Sequence, residues 1–553
     1  MLAVRVSNAK TTTVTPLNGD FTIYGGLYRP VHLLTRNTTS ISPIDDGICS
    51  PGIYLKQTNV SADKADVEAT VKLRRAAGAA ARNCTVQWTL LDADHKLVQT
   101  GSVPASFASG TADAVAKFSI DHPHLWNGTK DPYLYSVQID VKSGDTLIDS
   151  DTQPLGLRFY RIDNAKGFFL NGQPYNLHGV NRHQDWLDKG SAIDAANMDL
   201  DYKLMSEMGC TVVRLCHYEH GQYFYGLCDK GGIAVWAELG LVNDIDFSPE
   251  FAKITQQQLT ELIRQNFNHP SIFFWSLYNE LSARSTTAPG IAFMNNLNTL
   301  VHTLDPTRLT TGANSQGPNV PLATLPDLSS FNRYNGWYSQ APDTWGSVLD
   351  GLHKALPNRS FGVSEYGAGA SAFQHEDKPA QPKTTGKWHP QEWQCIVHEA
   401  AWKALSERPY IWGTFLWCFA DFGSDGRNEG DTPGRNDKGM VTFDRKIKKD
   451  VYYFYQANWT TTPMVHINLP EKLPYSPTHI KVYSNCDSVE LFADGKSLGK
   501  LEAKDHIFDW KDTRLPATGA VAIKAVGVSG GKEVDAADNL VIDPAFVQPD
   551  QPK

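Results

Sequence analysis

An alternation of apolar strands and amphipathic helices fills the middle of the chain and most constrains its fold. From Gly156 to about Trp459, eight apolar segments recur: YNLHGVN, TVVRLCH, GIAVWAEL, IFFWSLYNE, LTTGAN, LSSFNRYN, SFGVSEYG and IWGTFLWC. Between them, MDLDYKLMSEMG, FAKITQQQLTELIRQNF and QEWQCIVHEAAWKALSER repeat apolar residues at three- and four-residue steps, which is the helical period. Eight such units predict a (β/α)8 barrel.

A barrel is favoured over a doubly wound sheet because no Gly-rich dinucleotide fingerprint follows the first strand. In such a barrel the side chains at the carboxyl ends of the strands surround one mouth, where the functional site lies. The candidate functional residues are therefore those at the strand ends.

The segments on either side of the barrel are predicted to be β-sandwiches. Short alternating stretches such as CTVQWTLLD and LYSVQIDV precede the barrel, and KVYSNC, VELFADG and AVAIKAVGV follow it. VRVSN and LYRPVHLL near the start are predicted strands with too few neighbours to close a core. We therefore divide the chain into a β-domain remnant (1–36), an immunoglobulin-like sandwich (37–157), the barrel (158–459) and a second sandwich with a Pro-rich tail (460–553).

Charge and hydropathy argue against two classes of partner. The net charge of -9 is spread over 553 residues without a basic run, so neither nucleic acid nor an anionic membrane is indicated. Apolar segments all fall short of the ~20 residues that span a bilayer. The start, MLAVRVSNAK, lacks the pattern of a signal peptide. We expect a cytoplasmic protein if the chain is complete, and a periplasmic or secreted one if its N-terminus is truncated.

Two candidate strands, the fourth and the seventh, end in the carboxylates Glu280 and Glu365. One such glutamate could simply cap a helix or pair with an arginine, but two at the same mouth are typical of glycoside hydrolysis. Oxygens ~5–5.5 Å apart would give retention through a covalent intermediate, and a gap of ~6.5–9.5 Å would admit a water and invert. The residues alone leave this gap open. The other polar strand-end residues are Asn181, Arg182, His183, Arg214, His217, Glu238, Asn279, Asn332, Tyr334, Tyr366, Trp417 and Asp421.

Five stretches resemble the barrel of glycoside hydrolase family 2, above all its β-galactosidase-like members. They are FFLNGQPYNLHGVNRHQDW, RLCHYEHGQYFYGLCDKGGIAVWAEL, HPSIFFWSLYNE, FGVSEYGAG and GTFLWCFADFGSDGRNEGDTPGRNDKGMVTFDRK. The resemblance covers nearly the whole chain and implies the family order of jelly-roll, immunoglobulin-like sandwich, catalytic barrel and C-terminal sandwich. It also implies that residues 1–36 are the C-terminal remnant of a sugar-binding jelly-roll domain.

The resemblance implies a role for each matching residue. Glu280, in the Asn-Glu pair, would be the general acid/base, and Glu365, in Ser-Glu-Tyr-Gly, would be the nucleophile of a retaining reaction. Asn279 resembles the residue that binds the sugar 2-hydroxyl, and Tyr334 resembles the tyrosine that steadies the nucleophile. The remaining matches to substrate-binding positions are His183, Arg214, His217 and Trp417. As alternatives, Arg214 could only hold Glu365 in place, and either histidine could be structural.

Two departures from the family pattern concern metal and sugar. Metal-dependent members carry Glu-x-His after the third strand, where AELGLVND places Val242 and Asp244, so we expect a pocket without a metal. Asn436-Asp437-Lys438 resembles the Asn-x-Lys pair with which β-glucuronidases bind the substrate carboxylate. Galactosidase-like members with this tail also carry Asn-Asp-Lys, so the sugar stays open.

The sequence thus predicts an exo-acting, retaining β-glycosidase that hydrolyses terminal β-D-galactosides and needs no organic cofactor. A β-glucuronidase or another family 2 glycosidase is the nearest alternative. A non-catalytic carbohydrate-binding protein is a further one, which the intact Glu280 and Glu365 disfavour. The predicted partner is a small-molecule or oligosaccharide β-glycoside, with neither nucleic acid nor membrane, and a homo-oligomer stays open.

Overall fold

The N-terminal segment is irregular in the computed structural model, which describes residues 3–79 and 83–550. Residues 3–38 contain neither strand nor helix, so the strands predicted at VRVSN and LYRPVHLL are wrong. Alternating hydrophobicity indicates which face a strand would bury, but these stretches find no strand to pair with. The segment runs along the barrel instead, where Thr22 donates its N–H to the Gly423 carbonyl and Phe21 is buried. Its assignment to a jelly-roll remnant stays a prediction.

Two antiparallel sheets follow and form the first sandwich. The strands are β1 (Thr39–Ile41), β2 (Ile44–Asp45), β3 (Ile48–Cys49), β4 (Ile53–Thr58), β5 (Lys64–Arg75), β6 (Cys84–Leu91), β7 (Leu97–Ala105), β8 (Thr111–Asp121), β9 (Tyr135–Ser143) and β10 (Thr146–Leu155). One sheet joins β1, β4 and β8 to β5, the other has the order β10-β9-β6-β7, and β2 pairs with β3. Every second residue of β5 is buried, and Val67 and Val71 share a core with Val86 and Val137 of the facing sheet. The predicted sandwich is confirmed.

A small sheet closes the amino end of the barrel. It consists of β11 (Tyr160–Asp163), β12 (Gly167–Leu170) and β13 (Gln173–Pro174). Phe168 and Leu170 pack with Phe273 and Trp412, which stand near the amino ends of two barrel strands. This apolar plug leaves the opposite, carboxyl end of the barrel as the open face.

Eight parallel strands form the barrel, each hydrogen-bonded to the next and the last to the first. They are β14 (His178–Arg182), β15 (Val212–Leu215), β16 (Ala234–Glu238), β17 (Ile272–Asn279), β18 (Leu309–Asn314), β19 (Ser329–Asn332), β20 (Phe361–Tyr366) and β21 (Ile411–Leu416). All eight residues of β17 are buried, as expected for a parallel strand covered on both faces. Each strand coincides with a predicted one, so the barrel is confirmed.

The described residues place seven α-helices around the strands. They are α1 (Ala195–Met208), α2 (Gln222–Gly231), α3 (Pro249–Asn266), α4 (Ala288–Leu304), α5 (Trp345–Ala355), α6 (Gln391–Ser406) and α7 (Asp450–Trp459). After β18 a 3-10 turn at Pro321–Ala323 stands where a helix would be, and further 3-10 turns lie at Gly128–Lys130, Ala283–Thr286 and Pro342–Thr344. Within the described ranges, none of the helices has the length and apolarity needed to cross a bilayer.

The chain crosses the open face once more and then forms a second sandwich. Above the mouth, β22 (Phe422–Gly423) pairs with β23 (Arg435–Asn436). The sandwich strands are β24 (Val465–Ile467), β25 (Lys472–Leu473), β26 (Ile480–Ser484), β27 (Ser488–Ala493), β28 (Lys496–Glu502), β29 (Ile507–Trp510), β30 (Gly519–Ser529) and β31 (Lys532–Ile542). The sheets have the orders β24-β26-β29 and β25-β31-β30-β27-β28 and enclose their own apolar core.

A buried aspartate ties α1 to the rim of the barrel. Asp201 Oδ2 accepts a hydrogen bond from Arg182 Nε at 2.9 Å, and Oδ1 accepts one from Arg445 Nε at 2.9 Å. The side chains of all three residues are at most 1% exposed. Removing one partner of such a buried ionic group leaves an uncompensated charge.

We therefore expect Asp201→Asn to lower the free energy of unfolding by about 3–5 kcal/mol, because two buried arginines lose their counter-charge. Urea denaturation followed by tryptophan fluorescence measures the change. Asp199→Asn, on the exposed face of the same helix, is the matched control and should change stability by less than about 0.5 kcal/mol. Equal midpoints for both variants would contradict the prediction.

Candidate active site

An open pocket of about 610 Å³ lies at the carboxyl ends of the barrel strands. It is lined by Glu280 and Glu365, the two carboxylates predicted to share one mouth. Four further predicted residues, Asn279, His217, Tyr334 and Trp417, also line it. The two remaining ones, Arg214 and His183, are buried behind the pocket wall.

Arg214 is a fully buried cation beneath the pocket floor. Its Nε and Nη2 form a bidentate pair with Glu238 at 2.7 and 3.0 Å. Nη1 donates to Asn181 Oδ1 at 2.9 Å and to Glu365 Oε1 at 2.7 Å, and Nη2 donates to Asn279 Oδ1 at 2.8 Å. Arg214 therefore positions residues that face the pocket, which is the alternative role considered for it from the sequence. Its bidentate partner is Glu238, and Glu365 receives a single bond.

Glu365 is held in a fixed orientation by two donors. Arg214 binds Oε1, and the Tyr334 hydroxyl donates to Oε2 at 2.7 Å. Burial and the charge of Glu365 raise the pKa of Tyr334 well above its usual value, so the phenol remains a donor. These two bonds engage both carboxyl oxygens and so fix the plane of the group.

Glu280 lies in a different environment. Burial, and then the charge of Glu365, raise its pKa to about 7, although Asn332 donates to its Oε1 at 2.8 Å. Its backbone has φ +49°, in the left-handed region that costs a non-glycine residue about 1–3 kcal/mol. The site therefore contains one carboxyl that keeps its proton near neutral pH and one carboxylate bound to a cation.

Aromatic rings form one wall of the pocket. Trp417 lines it, and its ring stacks on His217 with centroids 5.1 Å apart. His217 is fixed by Glu238, whose Oε1 lies 2.7 Å from Nδ1. His183 lies behind this layer, stacked on Phe422 at 4.1 Å and edge-on to Trp417. The prediction that His183 touches a sugar remains a prediction.

Two pocket residues that the sequence did not indicate come from irregular segments. Asp20, in the N-terminal segment, and Arg427, after β22, both line the pocket. Arg427 Nε donates to Asp20 Oδ1 at 2.7 Å, and Asn436 Nδ2 donates to Oδ2 at 3.1 Å. Burial opposes ionisation of Asp20, but Arg427 outweighs it and holds the pKa below its usual value. Neither residue lies in a stretch with a periodic pattern, so only its charge could have indicated it.

Lys438 is buried next to this charged pair. Its side chain is 1% exposed, and Nζ lies 5.2 Å from the ring centre of Tyr338, which lines the pocket. Nζ has no hydrogen-bond partner among the described residues. The nearest carboxylate, Glu429, is 4.0 Å away and also pairs with Arg427.

Two regions bear on metal binding. After β16, Val242 is buried in an apolar cluster, and Asp244 accepts hydrogen bonds from Asn18 and Ser282. A different group, His183, Cys216 and His217, brings one ligand atom from each residue to within 4.8 Å of the others.

Comparison with known proteins identifies the domains. Residues 161–462 match the profile described as "Glycosyl hydrolases family 2, TIM barrel domain", and residues 53–158 match "Glycosyl hydrolases family 2". Residues 476–535 match a domain of unknown function.

Relatives match over nearly the whole chain. A β-glucuronidase of Bacteroides fragilis is 43% identical over 528 residues, which are 93% of this chain and 74% of that protein. The chain spans 62% and 50% of two further relatives, from Formosa agariphila. A B. fragilis crystal structure with a provisional β-galactosidase assignment is 34% identical, with TM-score 0.91 over 97% of this chain and 80% of that one. A Bacteroides uniformis β-glucuronidase is 28% identical, with TM-score 0.88 over 97% and 66%.

We expect the Glu280 carboxyl to lose its proton with a midpoint near pH 7, because burial and Glu365 raise its pKa. The infrared absorption of the protonated Glu280 carboxyl is obtained by subtracting the spectrum of Glu280→Gln from that of the wild type. Its decrease with rising pH gives the midpoint. Asn332→Ala removes the amide that stabilises the ionised form, so the midpoint should move to higher pH. Asn314→Ala, at the buried end of β18, is the control and should leave it unchanged. A wild-type midpoint near the ordinary 4.5 would contradict this assignment.

Proposed function

The chain belongs to glycosyl hydrolase family 2, and we propose that it is an exo-acting, retaining β-D-glucuronidase. Its activity as a β-glycosidase rests on the family and on the paired carboxylates. The choice of a glucuronide is supported by Lys438 and by the 43% identical relative. It replaces the galactoside that we favoured from the sequence.

In the first step of the proposed reaction, the Glu365 carboxylate attacks the anomeric carbon. The bond from that carbon to the leaving oxygen breaks, and Glu280 gives its proton to that oxygen, which leaves a covalent glycosyl ester. In the second step Glu280, now ionised, takes a proton from water, whose oxygen attacks the anomeric carbon. The ester bond breaks and both carboxyl groups return to their starting states.

The surroundings of the two carboxyl groups support this division of roles. Arg214 and Tyr334 hold both oxygens of Glu365 in a fixed orientation, as a nucleophile requires. Glu280 has a pKa of about 7, so a large fraction still carries the proton at neutral pH. Once Glu365 becomes an uncharged ester, its charge no longer raises the pKa of Glu280, and Glu280 gives up its proton more readily.

Asn279 is suited to bind a sugar hydroxyl. Its amide oxygen accepts from Arg214 Nη2 at 2.8 Å, which turns the amide NH2 toward the pocket as a donor. Asn332 bonds Glu280 through its own amide, and its oxygen accepts from Ser364 at 2.6 Å. A donor that is already oriented can strengthen its bond as charge develops on the sugar, without reorganisation.

Lys438 is the single observation that carries the choice of sugar. A buried ammonium group without a hydrogen-bond acceptor among the described residues is costly, and the carboxylate of a uronic acid would supply that acceptor. Arg427 and Asn436, both bound to Asp20 beside it, are further donors for a carboxylate or a hydroxyl. Tyr338 lies over Nζ and is 49% exposed, so rotation of its side chain would open this corner to a ligand.

A β-galactosidase is the second candidate, favoured by the 34% identical B. fragilis structure. A panel of nitrophenyl β-glucuronide, β-galactoside, β-mannoside and β-glucoside separates the alternatives. We expect the highest kcat/KM on the glucuronide. Preference for the galactoside would overturn the choice of sugar and leave the glycosidase intact, whereas release from none of them would overturn both.

Lys438→Ala should lower kcat/KM on nitrophenyl β-glucuronide about 30- to 1,000-fold, from the loss of ~2–4 kcal/mol of charge pairing. If the wild type also hydrolyses β-galactosides, kcat/KM of the variant on them should be close to the wild-type value, because galactose has no carboxylate. Lys446→Ala is the control, since its side chain is 80% exposed and pairs with Asp444. An equal loss on both sugars would indicate a structural role for Lys438.

Two alanine variants test which carboxyl group has which role. Glu365→Ala should lower turnover by at least about 10⁴-fold, and added azide should restore part of it as the α-glycosyl azide. Glu280→Ala should still form the glycosyl-enzyme from activated aryl substrates, and azide should then give the β-glycosyl azide. NMR of the products distinguishes the two anomers. Exchanged stereochemistry would mean that the roles are reversed.

A further inference from the structure

A cluster of metal-binding side chains extends from the aromatic wall of the pocket into the protein behind it. It consists of Cys216 and His217, which follow β15, and His183, which follows β14. All three are buried, and one ligand atom from each lies within 4.8 Å of the other two. We propose that this cluster is an inhibitory binding site for zinc and chemically similar thiophilic cations.

The hydrogen bonds of the histidines leave one nitrogen of each ring available. His217 Nδ1 is engaged by Glu238 at 2.7 Å, and His183 Nδ1 lies 3.2 Å from the Tyr218 hydroxyl. His183 Nε2 is buried and has no hydrogen-bond partner among the described residues. A histidine whose other nitrogen is fixed by a carboxylate has the orientation found in protein zinc sites.

The distances suit a tetrahedral ion. Bond lengths of ~2.0–2.3 Å place ligand atoms about 3.4–3.6 Å apart around zinc, so this cluster needs to contract by only about 1 Å. The Cys216 thiol, now within 3.4 Å of the Arg182 carbonyl, would bind as the thiolate and release its proton to the buffer. Three protein ligands leave a fourth position for water, as in open zinc sites.

Occupation of this site would impair sugar binding. His217 lines the pocket, and its ring supports Trp417 by stacking at 5.1 Å. Drawing His217 toward the ion would displace this support, so bound zinc and bound sugar should oppose each other. The expected inhibition therefore raises KM more than it lowers kcat, and a chelator should reverse it.

Crystals of the full chain soaked in zinc chloride test the site directly. We expect an anomalous peak about 2.0–2.3 Å from Cys216 Sγ and from one nitrogen each of His183 and His217. In solution, Cys216→Ser should weaken binding of Zn²⁺ by about 100-fold or more, and should remove the thiolate-to-metal ultraviolet absorption that Cd²⁺ produces. Competition with a chromophoric chelator measures both affinities without reference to activity.

Cys418→Ser is the matched control. Cys418 is buried in the same apolar cluster as Cys216, but its thiol faces the Ala420 carbonyl and it is not one of the three ligands. This variant should keep the wild-type affinity for zinc. If Cys216→Ser does not fold, the anomalous peak and the affinity of His183→Gln for Zn²⁺ test the proposal in its place. Zinc elsewhere in the crystal with none at this cluster, or unchanged affinity in a folded Cys216→Ser, would overturn the proposal.

Discussion

The guanidinium of Arg214 is the interaction on which the pocket depends. It binds side chains from four other barrel strands, namely Asn181, Glu238, Asn279 and Glu365. Burying a cation costs several kcal/mol unless its donors are matched, and here two carboxylates and two amides match them. Because these partners reach one point only when the ring of strands is closed, formation of the barrel and assembly of the pocket floor are the same event.

This arrangement also makes two identical side chains chemically different. Glu365 contacts Arg214 and Tyr334, whereas Glu280 has one neutral donor, Asn332, and is otherwise buried beside a negative charge. A shared pocket cannot readily hold two ionised carboxylates, so the one without a cation retains the proton. In the proposed reaction, the assignment of Glu280 as acid and Glu365 as nucleophile thus follows from where Arg214 lies.

The sequence predicted what local periodicity can encode. Buried parallel strands are continuous apolar runs, so all eight barrel strands and the polar residues that end them, Glu280, Asn332 and Glu365 among them, could be found. Asp20 and Arg427 could not, because they are 407 positions apart in the chain and neither lies in a stretch with a repeating pattern. In residues 3–38 the sequence predicted strands that do not form, since alternating hydrophobicity without a partner strand does not make a sheet. The burial of His183 behind Trp417 depends on ring packing, which strand position does not specify.

The irregular segments suggest how the chemistry and the choice of sugar are separated in this molecule. Phe21 packs on His183, His217 and Tyr218, so the N-terminal segment is part of the wall that faces the barrel floor. Asp20 on this segment, with Arg427 and Lys438 near it, carries the charges that would distinguish one sugar from another. Closed strands fix the carboxyl pair, whereas segments outside the ring of strands can change without disturbing it. In the proposed function, a common floor with an exchangeable wall would let relatives share this fold and yet carry the names of both β-glucuronidases and a β-galactosidase.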